Sequence, residues 1–297
     1  MVTKFLCFMV VAAASLFYAD SVTARTRLTS ALHLFVDNSS IGNNANSCKT
    51  AEAPCKTVQG AMAKVCYNYD LAAMPVLIKT TPGQTYNESL LPCNFIGHSA
   101  GYGYGQVVVD FTGAFLSSTS IGILGNVNNV PWVFKNVTFL DCPIACVEAD
   151  SGGLLALDGP TFKTVTGNHI ISIYDSRIII LNTSNPYTIA GGAGVHWYNA
   201  FNGAIIVRPN MNINVTGNPH FKHFFAFASK GSSYINALGT KWNGAATAPV
   251  GMATGTKFHA EDGATISTGG MGSEFFPGTE NSCNPISVCV ANGGQYH

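Results

Sequence analysis

Charge is what this chain most lacks. Lysine, arginine, aspartate and glutamate make up 10% of its 297 residues, and 15 basic residues cancel 15 acidic ones. An average domain carries about 25% charged residues. A neutral chain without a basic run has no electrostatic hold on nucleic acid or on an anionic membrane, so neither is expected as a partner. No long apolar stretch follows the first residues, which argues against membrane insertion of the mature chain. No C-x-x-C and no H-E-x-x-H is present, and no metal site is expected. Helical periodicity is scarce. What remains is an apolar fraction of 47% with 31 glycines. That is enough for a large core, argues against intrinsic disorder, and suits β-structure with frequent turns.

The first residues read as a signal peptide over 1–24. Lys4 precedes an apolar run from Phe5 to Phe17, and Val22-Thr23-Ala24 supplies a small-residue cleavage site. The run is too short to span a bilayer, so a secreted protein is expected: extracellular, on the cell surface or in the periplasm. Cys7 leaves with the leader. The remaining cysteines are Cys48, Cys55, Cys66, Cys93, Cys142, Cys146, Cys283 and Cys289. An even number in an exported chain points to disulfides. Sequential pairing (48–55, 66–93, 142–146, 283–289) is the simplest of the roughly 105 connectivities that eight cysteines allow. Glycosylation sequons stand at Asn38, Asn87, Asn136, Asn182 and Asn214.

The most informative feature is an internal repeat. Gly153-LLAL-Asp158, Arg177-IIIL-Asn182, Gly203-AIIV-Arg208, Gly231-SSYI-Asn236 and Gly263-ATIS-Thr268 each run from a turn residue through β-branched or apolar residues to a polar one. Successive lead residues are 24, 26, 28 and 32 positions apart. A second landmark, at Gly167, Gly191, Gly217 and Gly244, follows its lead by 14, 14, 14 and 13 residues, whereas the remainder of each unit grows. A fixed half and a variable half are what a solenoid gives when insertions collect on one edge. Short β-branched segments between turns favour a parallel β-helix over helical repeats. The spacing predicts one helix, from Thr57 to about Tyr67, capped by Thr57 and burying Val58, Ala61, Met62 and Val65 on one face. A single domain over 31–297 is expected: an N-terminal strand and capping helix (31–75), rungs (76–270) and a Cys283/Cys289-bearing capping tail (271–297).

Leu34-Phe-Val-Asp37, Gly42-Asn-Asn and Pro54-Cys-Lys-Thr-Val-Gln-Gly-Ala61 resemble the opening of bacterial and phage right-handed parallel β-helix proteins of the pectin-lyase-like kind. His196-Trp-Tyr198, Asn214-Val-Thr-Gly-Asn-Pro219, Phe276-Pro-Gly278 and Gly293-Gly-Gln-Tyr296 resemble a bacterial and prophage tail-fibre or tailspike-like subgroup. The resemblance implies an all-β, right-handed parallel β-helix with a short capping helix. It also implies a homotrimer as one assembly, with a monomer equally open. It is weak for activity, because members of this superfold have divergent functions. The superfamily includes polysaccharide lyases, esterases and glycoside hydrolases, but the polygalacturonase motifs are missing here.

Three residue sets could carry chemistry. Glu148 and Asp150 fall near Asp175 and Arg177 one rung later, and acids beside an arginine are candidates for catalysis or for a solvated ion-pair set. Asp158, Asn182, Arg208, Asn236 and Thr268 are equivalent in the repeat; Asp158 and Arg208 are the candidate sugar contacts, and an asparagine-type turn ladder is the alternative. An aromatic and histidine-rich edge includes His169, Tyr174, His196, Trp197, Tyr198, Phe201, Phe224, Phe225, Phe227 and His259. His196, Trp197 and Tyr198 are the candidate glycan platform there, although strict alternation would turn about half of the edge inward. The expected partner is a polysaccharide or cell-surface glycan. The alternatives are a polysaccharide-degrading enzyme and a purely structural or adhesive protein. No cofactor is expected, and Ca²⁺ enters only for a lyase.

Overall fold

The structure is a computed structural model that describes residues 24–99, 101, 103–244, 252–279, 290–291 and 293–297. The leader assigned to 1–24 lies outside them but for Ala24, as do Cys283 and Cys289. The chain winds into an all-parallel β-solenoid of about 7 turns. Three sheets form its sides. The long sheet has ten strands, from Leu32–Val36 to Gln295–Tyr296. A seven-stranded sheet runs from Thr85–Asn87 to Lys241–Asn243, and an eight-stranded sheet starts at Ile121–Asn126 and ends at Val290–Ala291. From Val107–Asp110 to Phe258–Glu261, each turn visits the long, the seven-stranded and the eight-stranded sheet in that order.

Parallel in-register pairing places equivalent side chains one above another, about 4.8 Å apart. In the long sheet, Leu32, Val76, Val107, Trp132, Leu155, Ile178, Ile205, Ile235, Ile266 and Tyr296 form one continuous inward column. Leu34, Ile78, Val109, Phe134, Leu157, Ile180 and Val207 form a second. The seven-stranded sheet contributes Tyr86, Leu116, Phe139, Phe162, Ile189 and Val215. Nearly all of these side chains are shut from solvent. Burial of each large one stabilises the fold by about 1.5–3 kcal/mol, and β-branched residues suit the pleat.

The corner between the eight-stranded and long sheets is a repeated two-residue left-handed turn. Ser151, Tyr174, Phe201, Lys230 and Asp262 occupy its first position with φ from +48° to +61°. Gly152, Asp175, Asn202, Gly231 and Gly263 occupy its second with φ from +60° to +81°. The turns are stitched vertically by bonds such as Gly152 N–H to Tyr174 C=O (2.9 Å) and Asp175 N–H to Phe201 C=O (3.1 Å). This corrects the repeat register. Gly153 and Gly203 share a column with Ser176 and Ser233, whereas Arg177 sits one position later and Gly231 two earlier. Glycine serves either as the second turn residue or as the residue after it, so alignment on glycine mixes positions.

The N-terminal end is closed by α1 (Val58–Asn68), with Thr57 Oγ1 accepting from Gly60 N–H at 2.9 Å. Val58, Ala61, Met62 and Val65 are fully buried on the face that the spacing predicts. Glu88 reaches from the first seven-stranded-sheet rung to accept from Val58 N–H (2.8 Å) and Gln59 N–H (2.9 Å), satisfying two orphan donors. Disulfides Cys48–Cys55 and Cys66–Cys93 tie the helix region to the first rungs. The expected 142–146 bond is not formed: both are free, buried thiols facing the core, and burial pushes the Cys146 thiol up. At the other end the capping tail supplies buried Phe275 and Phe276 and the last long-sheet strand.

One polar chain crosses the core. Trp197 Nε1–H donates to Tyr187 Oη (3.1 Å), Tyr187 Oη contacts His196 Nε2 (2.7 Å), His196 Nδ1 contacts His169 Nδ1 (2.7 Å), and His169 Nε2 meets the Lys163 carbonyl (3.1 Å). A carbonyl only accepts, so His169 Nε2 carries its proton; a neutral His169 then accepts at Nδ1. His196 must donate from Nδ1 and accept at Nε2 from the tyrosine. Every member is satisfied with both imidazoles neutral.

Two measurements test this account. Cys66→Ser/Cys93→Ser, which opens a loop of sequence separation 27, should lower unfolding free energy by about 2–4 kcal/mol in denaturant titration; no change would mean that the crosslink constrains nothing. Burial holds His169 down at about 3 against an ordinary 6.5, and lowers His196 as well. Protonation therefore favours the unfolded chain. Stability should be full above about pH 6.5 and fall towards pH 3, by roughly 1.4 kcal/mol per pH unit for each histidine. In His169→Gln/His196→Gln that slope should flatten in thermal melts between pH 7 and 4; an unchanged slope would place the acid sensitivity elsewhere.

Candidate functional site

Outward columns are the surface counterpart of the core. On the long sheet one of them is apolar after its first member: His33 is followed by Leu77, Val108, Val133, Ala156, Ile179 and Ile206. Val133, Ala156 and Ile179 are closed to solvent although they point away from the core. Beside it runs a charged column of Lys79, Asp110, Lys135 and Asp158, followed by Leu181. Arg208 takes the next place, its backbone N–H donating to the Ile180 carbonyl at 3.0 Å.

These columns meet in a groove of about 610 Å³ lined by His33, Leu77, Val108, Val133, Leu181 and Thr183, with Asp110, Lys135 and Asp158 along one side and Tyr104 over it. It crosses six strands, about 24 Å at the rung spacing. Tyr104 is positioned from its base. Buried Gln106 donates to the Gly97 carbonyl (3.0 Å) and the Met74 carbonyl (3.3 Å) and accepts from Ser99 N–H (2.7 Å), closing the loop before the Val107–Asp110 strand. The Arg208 guanidinium lies 5.5 Å from the Tyr104 ring centre, so the two side chains bridge the rungs between them.

The two carboxylates are held in place. Asp110 Oδ1 accepts from Thr112 N–H (3.0 Å) and Thr112 Oγ1–H (2.6 Å). Asp158 accepts from the Thr183 hydroxyl and from Asn185 Nδ2–H (2.9 Å). Lys135 Nζ stands 4.0 Å from Asp110 Oδ2, with 34% of its side chain exposed. The pair is loose, and the ammonium keeps donors for a ligand. A row of acceptor, donor and acceptor beside an apolar wall can bind a molecule with hydroxyls on one face and C–H groups on the other.

The expected polar column does not exist as drawn. Asp158 and Arg208 share a register position, but Leu181 stands between them, and Asn236 falls in the Ile179–Ile206 column. Thr268 is buried and donates to the His297 carbonyl at 2.7 Å. Asp158 lines the groove and Arg208 braces its tyrosine. The residues missed are Tyr104, Asp110 and Lys135. The alternation of Lys79, Asp110, Lys135 and Asp158 at equivalent strand positions was the available signal, but the irregular upstream rungs hid the register.

The aromatic edge turns mostly inward, and not by strict alternation. His196 and Trp197 are fully buried, His196 within the polar chain and Trp197 in the Ile123–Val147–Ile170–Trp197 column, so neither meets an external glycan. Tyr198 faces outward in a ladder with Phe227 and His259, rings stacked at 5.2 and 5.7 Å. Ladder rings turn their faces to one another, so mostly edges remain for a sugar. Glu148 occupies the same outward column, its carboxyl pushed up by burial and by Asp150. Asp150 accepts from Ser151 Oγ–H (2.9 Å). Asp175 is the second residue of the left-handed turn, and Arg177 lies beyond it on the long sheet. Among the described residues no ion pair joins Arg177 to the three acids, and no group of three or more metal-ligating side chains converges.

The turn role of Asp175 is testable. Asp175→Gly should leave the melting temperature near that of the parent, and Asp175→Val should cost about 1–3 kcal/mol, because β-branched residues resist positive φ. Equal tolerance of both would refute the turn assignment. Comparisons of the chain with protein-family models, with curated proteins and with solved structures found no match.

Proposed function

We propose that this is an exported polysaccharide-binding protein that holds a glycan chain in the Tyr104 groove. The observation that carries the reading is the Asp110–Lys135–Asp158 column opening into the same groove as the outward apolar column. Sugar hydroxyls donate to fixed carboxylates and accept from an ammonium, while Leu77, Val108 and the Tyr104 ring cover C–H surface. Export is supported by the leader-like residues 1–24 and by two disulfides, which persist in oxidising compartments. The pectin-lyase-like and tailspike-like resemblance rests on its sequence motifs and supports the same partner class.

One observation favours a second, hydrolytic reading. Asp110 and Asp158 are two rungs apart, roughly 9.5 Å along the sheet, at the wide end of the carboxylate spacing of inverting glycoside hydrolases. The test incubates the mature protein with a panel of plant, bacterial and host polysaccharides and follows retention and new reducing ends in parallel. We expect retention without products, weakened roughly tenfold, or about 1.4 kcal/mol, by Lys135→Met and by Tyr104→Ala. Retention indifferent to both variants would remove the groove from the reading. Reducing ends lost in Asp110→Asn or Asp158→Asn would make the protein a hydrolase.

A further inference from the structure

We infer that the groove selects a glycan in which an acidic sugar alternates with one that carries no negative charge. The inference rests on the polysaccharide reading above and names the chemistry of its ligand. Four successive strands of the long sheet present Lys79, Asp110, Lys135 and Asp158 at one register position. Cations and anions therefore alternate along the solenoid axis, each about one rung spacing from the next. A pyranose in an extended β-linked chain advances by about the same distance, so a glycan lying along the axis sets one sugar against each rung. Its charge pattern is then read two sugars at a time.

Fixed geometry makes the reading selective. Thr112 holds the Asp110 carboxylate, and Thr183 with Asn185 holds that of Asp158. Neither can swing aside from an approaching acid without giving up hydrogen bonds. A homopolymer with an acid on every sugar would set alternate acids against Asp110 and Asp158, and like charges brought together reject the wrong partner. A wholly neutral glycan gives Lys79 and Lys135 no counter-charge. An alternating acid meets both lysines, and the intervening sugars donate hydroxyls to the aspartates. Lys79 is exposed and continues the column just beyond the groove lining, and Lys135, within it, stands no closer than 4.0 Å to its own aspartate, so both are open to a ligand carboxylate.

The experiment measures binding of three oligosaccharides of equal length to the mature protein by calorimetry at two salt concentrations. The probes are a hyaluronan oligomer, in which glucuronate alternates with N-acetylglucosamine, a galacturonate oligomer with an acid on every sugar, and an uncharged cello-oligomer. Circular dichroism and melting confirm that every variant folds. We expect hyaluronan to bind about tenfold or more tighter than either other probe, and its affinity to fall with salt. Lys79→Gln/Lys135→Gln should reduce it to the level of the cello-oligomer. Asp110→Asn/Asp158→Asn should strengthen galacturonate binding about tenfold and weaken hyaluronan binding, because the intervening sugars lose their carboxylate acceptors, so the preference between the two probes narrows or reverses. Galacturonate or cello-oligomer binding tightest, with that binding lost in Tyr104→Ala, would overturn the alternation and leave the polysaccharide reading standing. Binding of none of the three, here and across the wider panel, would overturn both.

Discussion

Each strand of this solenoid finds its hydrogen-bond partners only in the rungs above and below, so every turn of the chain must reproduce nearly the same cross-section. The two-residue left-handed corner between the eight-stranded and long sheets enforces that condition. It recurs at Ser151-Gly152, Tyr174-Asp175, Phe201-Asn202, Lys230-Gly231 and Asp262-Gly263. A one-residue slip there would turn the isoleucine column of the long sheet outward. The corner tolerates varied side chains because its cost is met collectively. Non-glycine residues at positive φ are strained, and the vertical bonds between successive corners, with stacking such as Tyr174 on Phe201 at 4.7 Å and Lys230 over Phe201 at 4.4 Å, hold them there.

A core built of stacked columns is dry and leaves little room for polar groups. The chain from Trp197 through Tyr187, His196 and His169 to the Lys163 carbonyl is admitted because no donor or acceptor along it is left over. A proton added to either imidazole breaks that count and places an uncompensated charge among Phe162, Phe221 and Phe225. The most aromatic part of the solenoid is thus also its acid-sensitive part.

The same stacking that builds the core writes a pattern on the surface. Register makes an outward column of the long sheet alternate in charge, and the Tyr104 loop turns that column into one wall of a groove. On the eight-stranded sheet it makes a ladder of rings whose faces are spent on each other. The difference between a surface that offers hydrogen-bonding groups and one that offers ring edges follows from which residue types were placed in line.

Local pattern was enough to reveal the solenoid. Runs such as Ile178-Ile179-Ile180 between turn residues, the recurring unit length, and the Thr57-capped face of α1 all reflect nearest-neighbour backbone preferences and burial periodicity, and these are written in short windows of sequence. Two disulfides were legible from proximity along the chain. The column in which a residue stands was not. Glycine marks a corner without saying which position of it, and no short window of sequence shows that the adjacent His196 and Trp197 both turn inward. Asp175 looked like an acid beside Arg177 but is a corner residue, and Cys142 and Cys146, four positions apart, remain unjoined. The groove needed more still. Tyr104 and Arg208 are distant in sequence, and Asp110, Lys135 and Asp158 meet only because parallel strands pair at one spacing, a long-range relation that no window of sequence contains.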